Sequence, residues 1–366
     1  MRVAIVHYWL INFRGGEKVL EALCEIYPDA DIFTHVYDPA SFRDNIIGKH
    51  RIIETFIGRL PFARKLYQSY LPLMPLALEE LDLSAYDLVI SSESGPAKGV
   101  ISPPGVPHIC YCHSPMRYAW DMYHEYKKRA GSVKRFFMPW LIHYLRRWDQ
   151  QTSVQVTQFV ANSQFVSKRI QSYYGRQSIV INPPVAIDEF AIAENDGGFY
   201  LLLGQLVSYK RADLAVDAFN RSGRSLVIIG EGEQLDELKR KAKPNVEILG
   251  RRAFSEIKEL LASCRALVFP GIEDFGIVPL EAMASGRPVI AFRRGGALET
   301  VVDGLTGIFF EEQTPESLNR AVDLFEINLD SFDSAKIRAH ASRFSKERFK
   351  QEFNSLVDKI MFTEES

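Results

Sequence analysis

The sequence predicts an α/β protein of two doubly wound domains, and three observations carry that prediction. Short, continuously apolar runs alternate with stretches of helical spacing, the way buried parallel strands and their crossover helices read. The runs fall into two consecutive sets, one βαβ series followed by another. A length of 366 residues is also what two domains of ordinary size require.

The first set comprises Val3–Tyr8, Leu88–Ser91, His108–Cys112 and Phe159–Asn162. The second comprises Tyr200–Gly204, Ser225–Gly230, Val246–Leu249, Ala266–Pro270 and Pro288–Ala291, with helical stretches such as Arg211–Asn220 and Glu233–Ala242 between them. Ile181-Asn182-Pro183-Pro184-Val185 separates the sets. Its two prolines remove amide donors and stiffen the chain, so the interdomain linker is placed there. Beyond the second set, Phe349, Phe353, Val357 and Ile360 recur at helical spacing. That helix is expected to cross back to the first domain. The expected boundaries are 1–183 for an N-terminal Rossmann-like, acceptor-binding domain, 184–344 for a C-terminal Rossmann-like, nucleotide-sugar-binding domain, and 345–366 for the returning helix.

Composition narrows the class. With 46% hydrophobic and 25% charged residues and a net charge of −2, the chain is neither disordered nor fibrous. The charge is uneven: residues 1–185 hold 21 Lys/Arg against 16 Asp/Glu, and the rest hold 23 against 30, so the first half is the one to meet something anionic. Cys24, Cys110, Cys112 and Cys264 are too few and scattered for a disulfide scaffold or a zinc site, and read as buried thiols in a reducing cytoplasm. Met1–Val6 reads as a strand rather than a secretory segment, and no run reaches the roughly 18 apolar residues of a membrane span. The expected location is cytoplasmic, in solution or on the inner membrane face.

The sharpest chemical signal is Phe269-Pro270-Gly271-Ile272-Glu273-Asp274-Phe275-Gly276-Ile277-Val278-Pro279-Leu280-Glu281. A strand ends, a loop carries Glu273, and a helix opens near Gly276 with unpaired amides suited to a diphosphate. Glu281 lies one helical stretch further on. Gly204-Gln205-Leu206-Val207-Ser208-Tyr209-Lys210-Arg211 likewise follows a strand and opens a helix, and Lys210 supplies a point charge for phosphate oxygens. Gly15-Gly16-Glu17-Lys18 and Gly230-Glu231-Gly232-Glu233 are glycine turns after strands, and neither is the G-x-G-x-x-G of a dinucleotide site. His113, in His113-Ser114-Pro115-Met116-Arg117-Tyr118, sits at the carboxyl end of a strand, where α/β sheets bind ligands. Asp29-Ala30-Asp31 looks like a manganese-holding pair, but a turn before the apolar Ile32-Phe33 explains it, and no metal site is expected. Residues 127–148 hold seven Lys/Arg and no acid, interleaved with Phe136, Phe137, Trp140, Tyr144 and Trp148. Two readings stay open: a surface for anionic lipid, or a core helix with a wet basic face.

Together these segments resemble the retaining glycosyltransferases of family 4, which have the two-domain GT-B fold. The resemblance runs from Met1 to about Arg343, and its strongest motif is the E-x₇-E pair of Glu273 and Glu281. It implies that Glu273 contacts the transferred sugar, Glu281 the nucleotide ribose, and the amides from Phe275 to Val278 the diphosphate. Lys210 matches a phosphate-binding lysine, Gly16 a glycine loop near the diphosphate, and His113 a histidine near the sugar. Gln205 stands where most members carry arginine, and Arg211 is the candidate to compensate.

The expected catalytic residues are therefore His113, Lys210 and Glu273. The expected donor-binding residues are Gly16, Gln205, Arg211, Gly230, Arg251, Phe275, Gly276, Ile277, Val278 and Glu281. Gly15, Glu17, Arg117 and Tyr118 are expected to bind the acceptor. The resemblance is greatest to bacterial mannosyltransferases of O-antigen and exopolysaccharide assembly, which implies GDP-mannose as donor, a lipid-linked or polysaccharide acceptor, two domains facing a cleft, no metal and no nucleic acid. A different GDP- or UDP-sugar, or a non-catalytic sugar-nucleotide-binding subunit, is the alternative. A dinucleotide dehydrogenase lacks its phosphate fingerprint here.

Overall fold

The computed structural model describes residues 1–129, 131–194 and 196–363. The chain forms two compact units, one of Met1–Pro184 together with the segment from Phe349 onward, the other of Val185–Arg348.

The first unit is built on seven parallel strands: β1 (Val3–His7), β2 (Asp31–Thr34), β3 (Ile52–Glu54), β4 (Leu88–Glu93), β5 (His108–Cys112), β6 (Gln158–Ala161) and β7 (Ser178–Val180). Their order is β3-β2-β1-β4-β5-β6-β7. The second unit has six: β8 (Tyr200–Leu203), β9 (Leu226–Ile229), β10 (Val246–Gly250), β11 (Ala266–Phe269), β12 (Val289–Phe292) and β13 (Gly307–Phe310), in the order β10-β9-β8-β11-β12-β13. Both are doubly wound sheets, as expected. Strands β3, β7 and β13 carry no clear signal in the sequence. The first two are three-residue edge strands whose residues are at best half-buried, so they lack the apolar run that marks a central strand. The third opens on a glycine.

The C-terminal helix, Lys346–Thr363, returns to the first unit. Phe349, Phe353, Leu356 and Val357 enter the same core as Val3, Ile5, Leu23 and Ile181, and the Phe349 ring lies edge-on to Tyr111 at 5.8 Å. Burying four such side chains contributes roughly 1.5–3 kcal/mol each. Val185 N–H donates to the Phe344 carbonyl at 2.9 Å and pairs with Ser345 in a parallel bridge. The outgoing and returning segments therefore run side by side.

The core of the first unit also holds charge. Lys98, fully buried, lies between Glu93 at the end of β4 (Nζ to Oε1, 3.1 Å) and Asp149 on the Ser132–Thr152 helix. Trp120 Nε1 and Tyr174 Oη donate to the Asp149 carboxylate at 2.7 and 2.9 Å. Two acids thus share one lysine, and burial pushes the Glu93 carboxyl up to about 7 against the pull of Lys98. The folded chain then keeps a proton that the unfolded carboxyl releases near its ordinary 4.5. This contribution to stability is complete below that ordinary value and is lost as pH rises through about 7. Glu93→Gln, neutral at every pH, should flatten the fall in Tm between about pH 5 and 8; an unchanged slope would mean that Glu93 does not hold the proton.

Candidate active site

Strand order decides where side chains can gather. In the second sheet β8 and β11 are neighbours, yet the chain leaves β8 for β9 and β11 for β12, so the loops at their carboxyl ends part. Open α/β sheets bind ligands at such a point. The loop after β8 delivers Lys210 and the loop after β11 delivers Glu273, with Lys210 Nζ 2.9 Å from Glu273 Oε1. Both side chains are only partly exposed, at 17% and 20%, so the pair meets at the rim of the sheet rather than in open solvent.

Backbone packing holds these loops together. A Cβ on Gly296 would lie 2.3 Å from Phe275 Cα, and the Gly296 amide donates to the Glu273 carbonyl at 2.9 Å. Only a residue without a side chain lets the turn after β12 support the Glu273 loop this closely. Gly230 plays the same part beside the Lys210 loop, where a Cβ would meet the Gly204 carbonyl at 1.8 Å. Gly230 is thus a position where the backbones of two loops pack without room for a side chain. Gln313 Nε2 donates to the Pro270 carbonyl at 2.8 Å and closes the loop base.

Gly276, at φ 91°, precedes the helix Ile277–Ala284. The first turn leaves the Ile277 and Val278 amides without carbonyl partners inside the helix. Their side chains, like that of Phe275, pack into the core, the Phe275 ring 5.8 Å from Phe344. These residues therefore offer backbone, not side chains, to a ligand. Glu281, on the same helix, is 5% exposed.

Three expected residues are placed otherwise. Arg211 turns along its own loop, Nε 3.2 Å from Asp213 Oδ1 and Nη1 3.4 Å from Gln313 Oε1. Gln205 itself is exposed. Arg251 is exposed just beyond β10, the edge strand two places from β8, and strand order does not bring it to Lys210.

The first sheet parts in the same way between β1 and β4. His7 ends β1, Ser92 is its register partner on β4, and His113 follows β5. Ser92 Oγ lies 3.0 Å from His7 Nδ1 and 2.8 Å from His113 Nε2. Burial pushes the half-buried His113 ring down to about 3, so it is neutral at ordinary pH. Asn162 Nδ2 donates to the His113 carbonyl at 2.8 Å and fixes its backbone. The helix Gly15–Ile26 begins beside this row: a Cβ on Gly16 would lie 2.6 Å from Tyr8 Oη and 3.7 Å from His113 Nε2.

Glu17, expected to bind acceptor, is instead buried. Its Oε2 accepts the Arg14 N–H at 2.8 Å, and its Oε1 faces His7 Nε2 at 3.5 Å, so the carboxylate serves the helix start and the histidine. Gly15 is the first residue of that helix. Arg117 and Tyr118 are half-buried in the turn after His113, with the Tyr118 hydroxyl donating to Met116 Sδ at 2.8 Å. His7 and Ser92 went unremarked in the sequence, although polar residues closing otherwise apolar strands mark a ligand-binding edge.

The remaining motifs are structural. Asp31 accepts the Tyr86 hydroxyl at 2.5 Å and lies 3.6 Å from Arg51 Nη1. All four cysteines are buried free thiols. Among the described residues no three His, Cys, Asp or Glu side chains cluster as a metal site, and no helix is long and apolar enough to cross a membrane.

Comparison with known proteins places this geometry. Residues 13–189 match the family described as Glycosyltransferase Family 4, and residues 186–343 that described as Glycosyl transferases group 1. The alpha-1,3/1,6-mannosyltransferase ALG2 of Dictyostelium discoideum is 32% identical over 309 residues, covering 69% of this chain and 70% of that protein. An uncharacterized glycosyltransferase of Methanocaldococcus jannaschii is 32% identical over 165 residues, 44% of this chain, and the match spans about half (47%) of that protein. Among solved structures, Anabaena HepE in complex with UDP-glucose superposes with a TM-score of 0.72 at 18% identity, over 98% of this chain and 99% of that one. Sucrose-phosphate synthase from Thermosynechococcus elongatus superposes with a TM-score of 0.74 at 16% identity, over 99% and 100%. The chain belongs to the family 4/group 1 glycosyltransferases and has their GT-B fold. It is an enzyme, a glycosyltransferase.

The glycine support is open to test. Gly296→Ala forces the Glu273 loop to shift, and overpacking of this kind costs roughly 1–3 kcal/mol. Tm should fall and turnover should drop more than tenfold, roughly the rate equivalent of 1.4 kcal/mol. Unchanged kinetics would mean that the loop position is not set from beneath.

Proposed function

We propose that the chain is a retaining hexosyltransferase dependent on a nucleotide sugar, with the second unit holding the donor and the first unit the acceptor. The pairing of Lys210 with Glu273 at the parting of β8 and β11, beside a helix start with open amides, carries this reading. An arriving diphosphate competes for the Lys210 ammonium and releases the Glu273 carboxylate to the sugar hydroxyls. Glu281, on the helix behind, is the candidate for the ribose.

In the reaction the bond from the anomeric carbon to the diphosphate oxygen breaks and its electron pair stays on the phosphate. Positive charge builds on the sugar. Lys210 and the Ile277 and Val278 amides stabilise the departing phosphate as a preorganised cation and dipoles. The acceptor hydroxyl forms its bond on the same face and passes its proton to a phosphate oxygen. No covalent nucleophile is proposed among the acids of the site.

For the donor, the wider of the two expectations is the better supported. A mannosyltransferase stands among the relatives, but structures of similar fold are described with UDP and UDP-glucose, so a GDP- or UDP-hexose is proposed rather than GDP-mannose alone. A panel of GDP- and UDP-sugars, read by thermal shift and turnover, identifies it. With the active donor, Lys210→Ala should lower kcat more than tenfold in a folded protein, because a charge-assisted contact contributes roughly 1.5–3 kcal/mol. Unchanged turnover would make Lys210 a surface residue.

The acceptor is proposed to be a lipid-linked saccharide met at an anionic membrane in cell-surface glycan assembly. On the Ser132–Thr152 helix Phe136, Phe137 and Trp140 are 61–76% exposed, and Tyr144 continues their face, with Arg135 and Arg147 exposed beside them. Arg146 is not part of this surface, since its Nε donates to the Ala119 carbonyl at 2.6 Å and its guanidinium lies over Trp120. Trp148 is buried. The side chains of Arg129 and Lys134 lie outside the described residues. Each basic residue near an anionic surface is worth about 1 kcal/mol, and interfacial aromatics add to it. Co-sedimentation should show retention on anionic vesicles, little on neutral ones, and loss with Arg135→Glu/Arg147→Glu or Trp140→Ser while donor binding persists. Equal binding to both vesicles, or to neither, would leave the helix as core with a wet face.

A further inference from the structure

The row across the first sheet has a direction. His7 is fully buried, and its Nε2 has no hydrogen-bond partner among the described residues; the polar atom facing it is Glu17 Oε1, 3.5 Å away. A lone pair aimed at a buried carboxylate would be repelled, whereas an N–H is attracted. His7 is therefore assigned its proton on Nε2, toward the carboxylate, and its lone pair on Nδ1. Ser92, also fully buried, then donates its hydroxyl proton to His7 Nδ1 at 3.0 Å. The Ser92 oxygen is left as an acceptor toward His113, and the 2.8 Å contact is satisfied when His113 Nε2–H donates to it. The Nδ1 of His113 is left with a lone pair and, among the described residues, no hydrogen-bond partner.

We propose that Glu17, His7 and Ser92 form a positioning relay that holds His113 in the Nε2–H tautomer, so that its Nδ1 presents an acceptor to a saccharide hydroxyl at the carboxyl edge of the first sheet. The relay follows from geometry alone; the saccharide rests on the function proposed above. The ring selects a group that donates, and a ligand whose hydroxyl is replaced by fluorine or hydrogen at that position leaves the buried side of the site unpaired. Three elements enforce the arrangement: β1 and β4 place His7 and Ser92 in register, and the first turn of the Gly15–Ile26 helix places the carboxylate. Glu17 is thereby a residue of the sugar site that never touches sugar.

The test is a long-range ¹H–¹⁵N correlation of the full chain labelled in histidine, assigned with His7→Gln and His113→Gln. The expected spectrum shows the proton on Nε2 and a lone pair on Nδ1 in both rings. Glu17→Gln, whose amide oxygen still caps Arg14, should mix the tautomers of His7 and in turn those of His113. Ser92→Ala should free His113 alone and lower kcat/KM by roughly 2- to 10-fold, the share of one hydrogen bond; Ser92→Thr, which keeps the hydroxyl, should restore both. An Nδ1–H tautomer at His113 in the parent protein, or tautomers indifferent to Glu17→Gln and Ser92→Ala, would overturn the relay whatever the activity does. Correct tautomers with unchanged kcat/KM in both Ser92→Ala and His113→Gln would overturn its service to a saccharide while leaving the donor reading at Lys210 standing. Melting curves of each variant separate these outcomes from misfolding.

Discussion

A doubly wound sheet has one place where neighbouring strands send their chains in opposite directions, and both sheets gather their candidate site residues there. The two solve the same geometric problem with different materials. At the β8/β11 parting, loops approach backbone to backbone over Gly230 and Gly296, and a lysine and a glutamate meet above them. At the β1/β4 parting, side chains do the holding, a file of Glu, His, Ser and His that lies in register because the strands do. Bare backbone suits a diphosphate, which wants amides at close range. Oriented imidazole suits hydroxyl groups, which are distinguished by donor and acceptor sense.

The parts of this arrangement that could be read from the chain are those written in consecutive residues. Strands buried on both faces declare themselves as apolar runs, whereas the edge strands β3 and β7 do not. Glu273, Gly276 and Glu281 are legible because strand, loop and helix follow one another within a dozen residues. His113 was legible by its place at a strand end. Its partners were not, since Ser92 and His7 are 85 residues apart in the chain and meet only through strand pairing. The burial of Glu17 is not legible either, because only the fold brings His7 to face its carboxylate. The partners of Arg211 are illegible for a related reason: a cation near a motif in sequence has a long side chain and several groups to choose from, here Asp213 and Gln313.

The buried group of Lys98, Glu93 and Asp149 belongs to neither site, yet it links two features that matter. It secures the Ser132–Thr152 helix, whose exposed aromatic face is turned the other way, to the end of β4, whose Glu93 carbonyl accepts the His113 amide at 2.8 Å. Removing Lys98 from it would leave the Asp149 carboxylate uncompensated in the core, typically a loss of 3–5 kcal/mol.

The return of the Lys346–Thr363 helix to the first unit sets the order in which the protein can mature. Chains emerge from the ribosome N-terminus first, and domains generally fold as they appear. Here the Met1–Pro184 part lacks Phe349 and Phe353 until the Val185–Arg348 unit has been made, while that unit has every strand it needs before the helix is synthesised. The second unit can close its core while the first still shows an apolar groove. Until the helix arrives, Tyr111 and its neighbours in that core lack the rings that cover them in the finished fold.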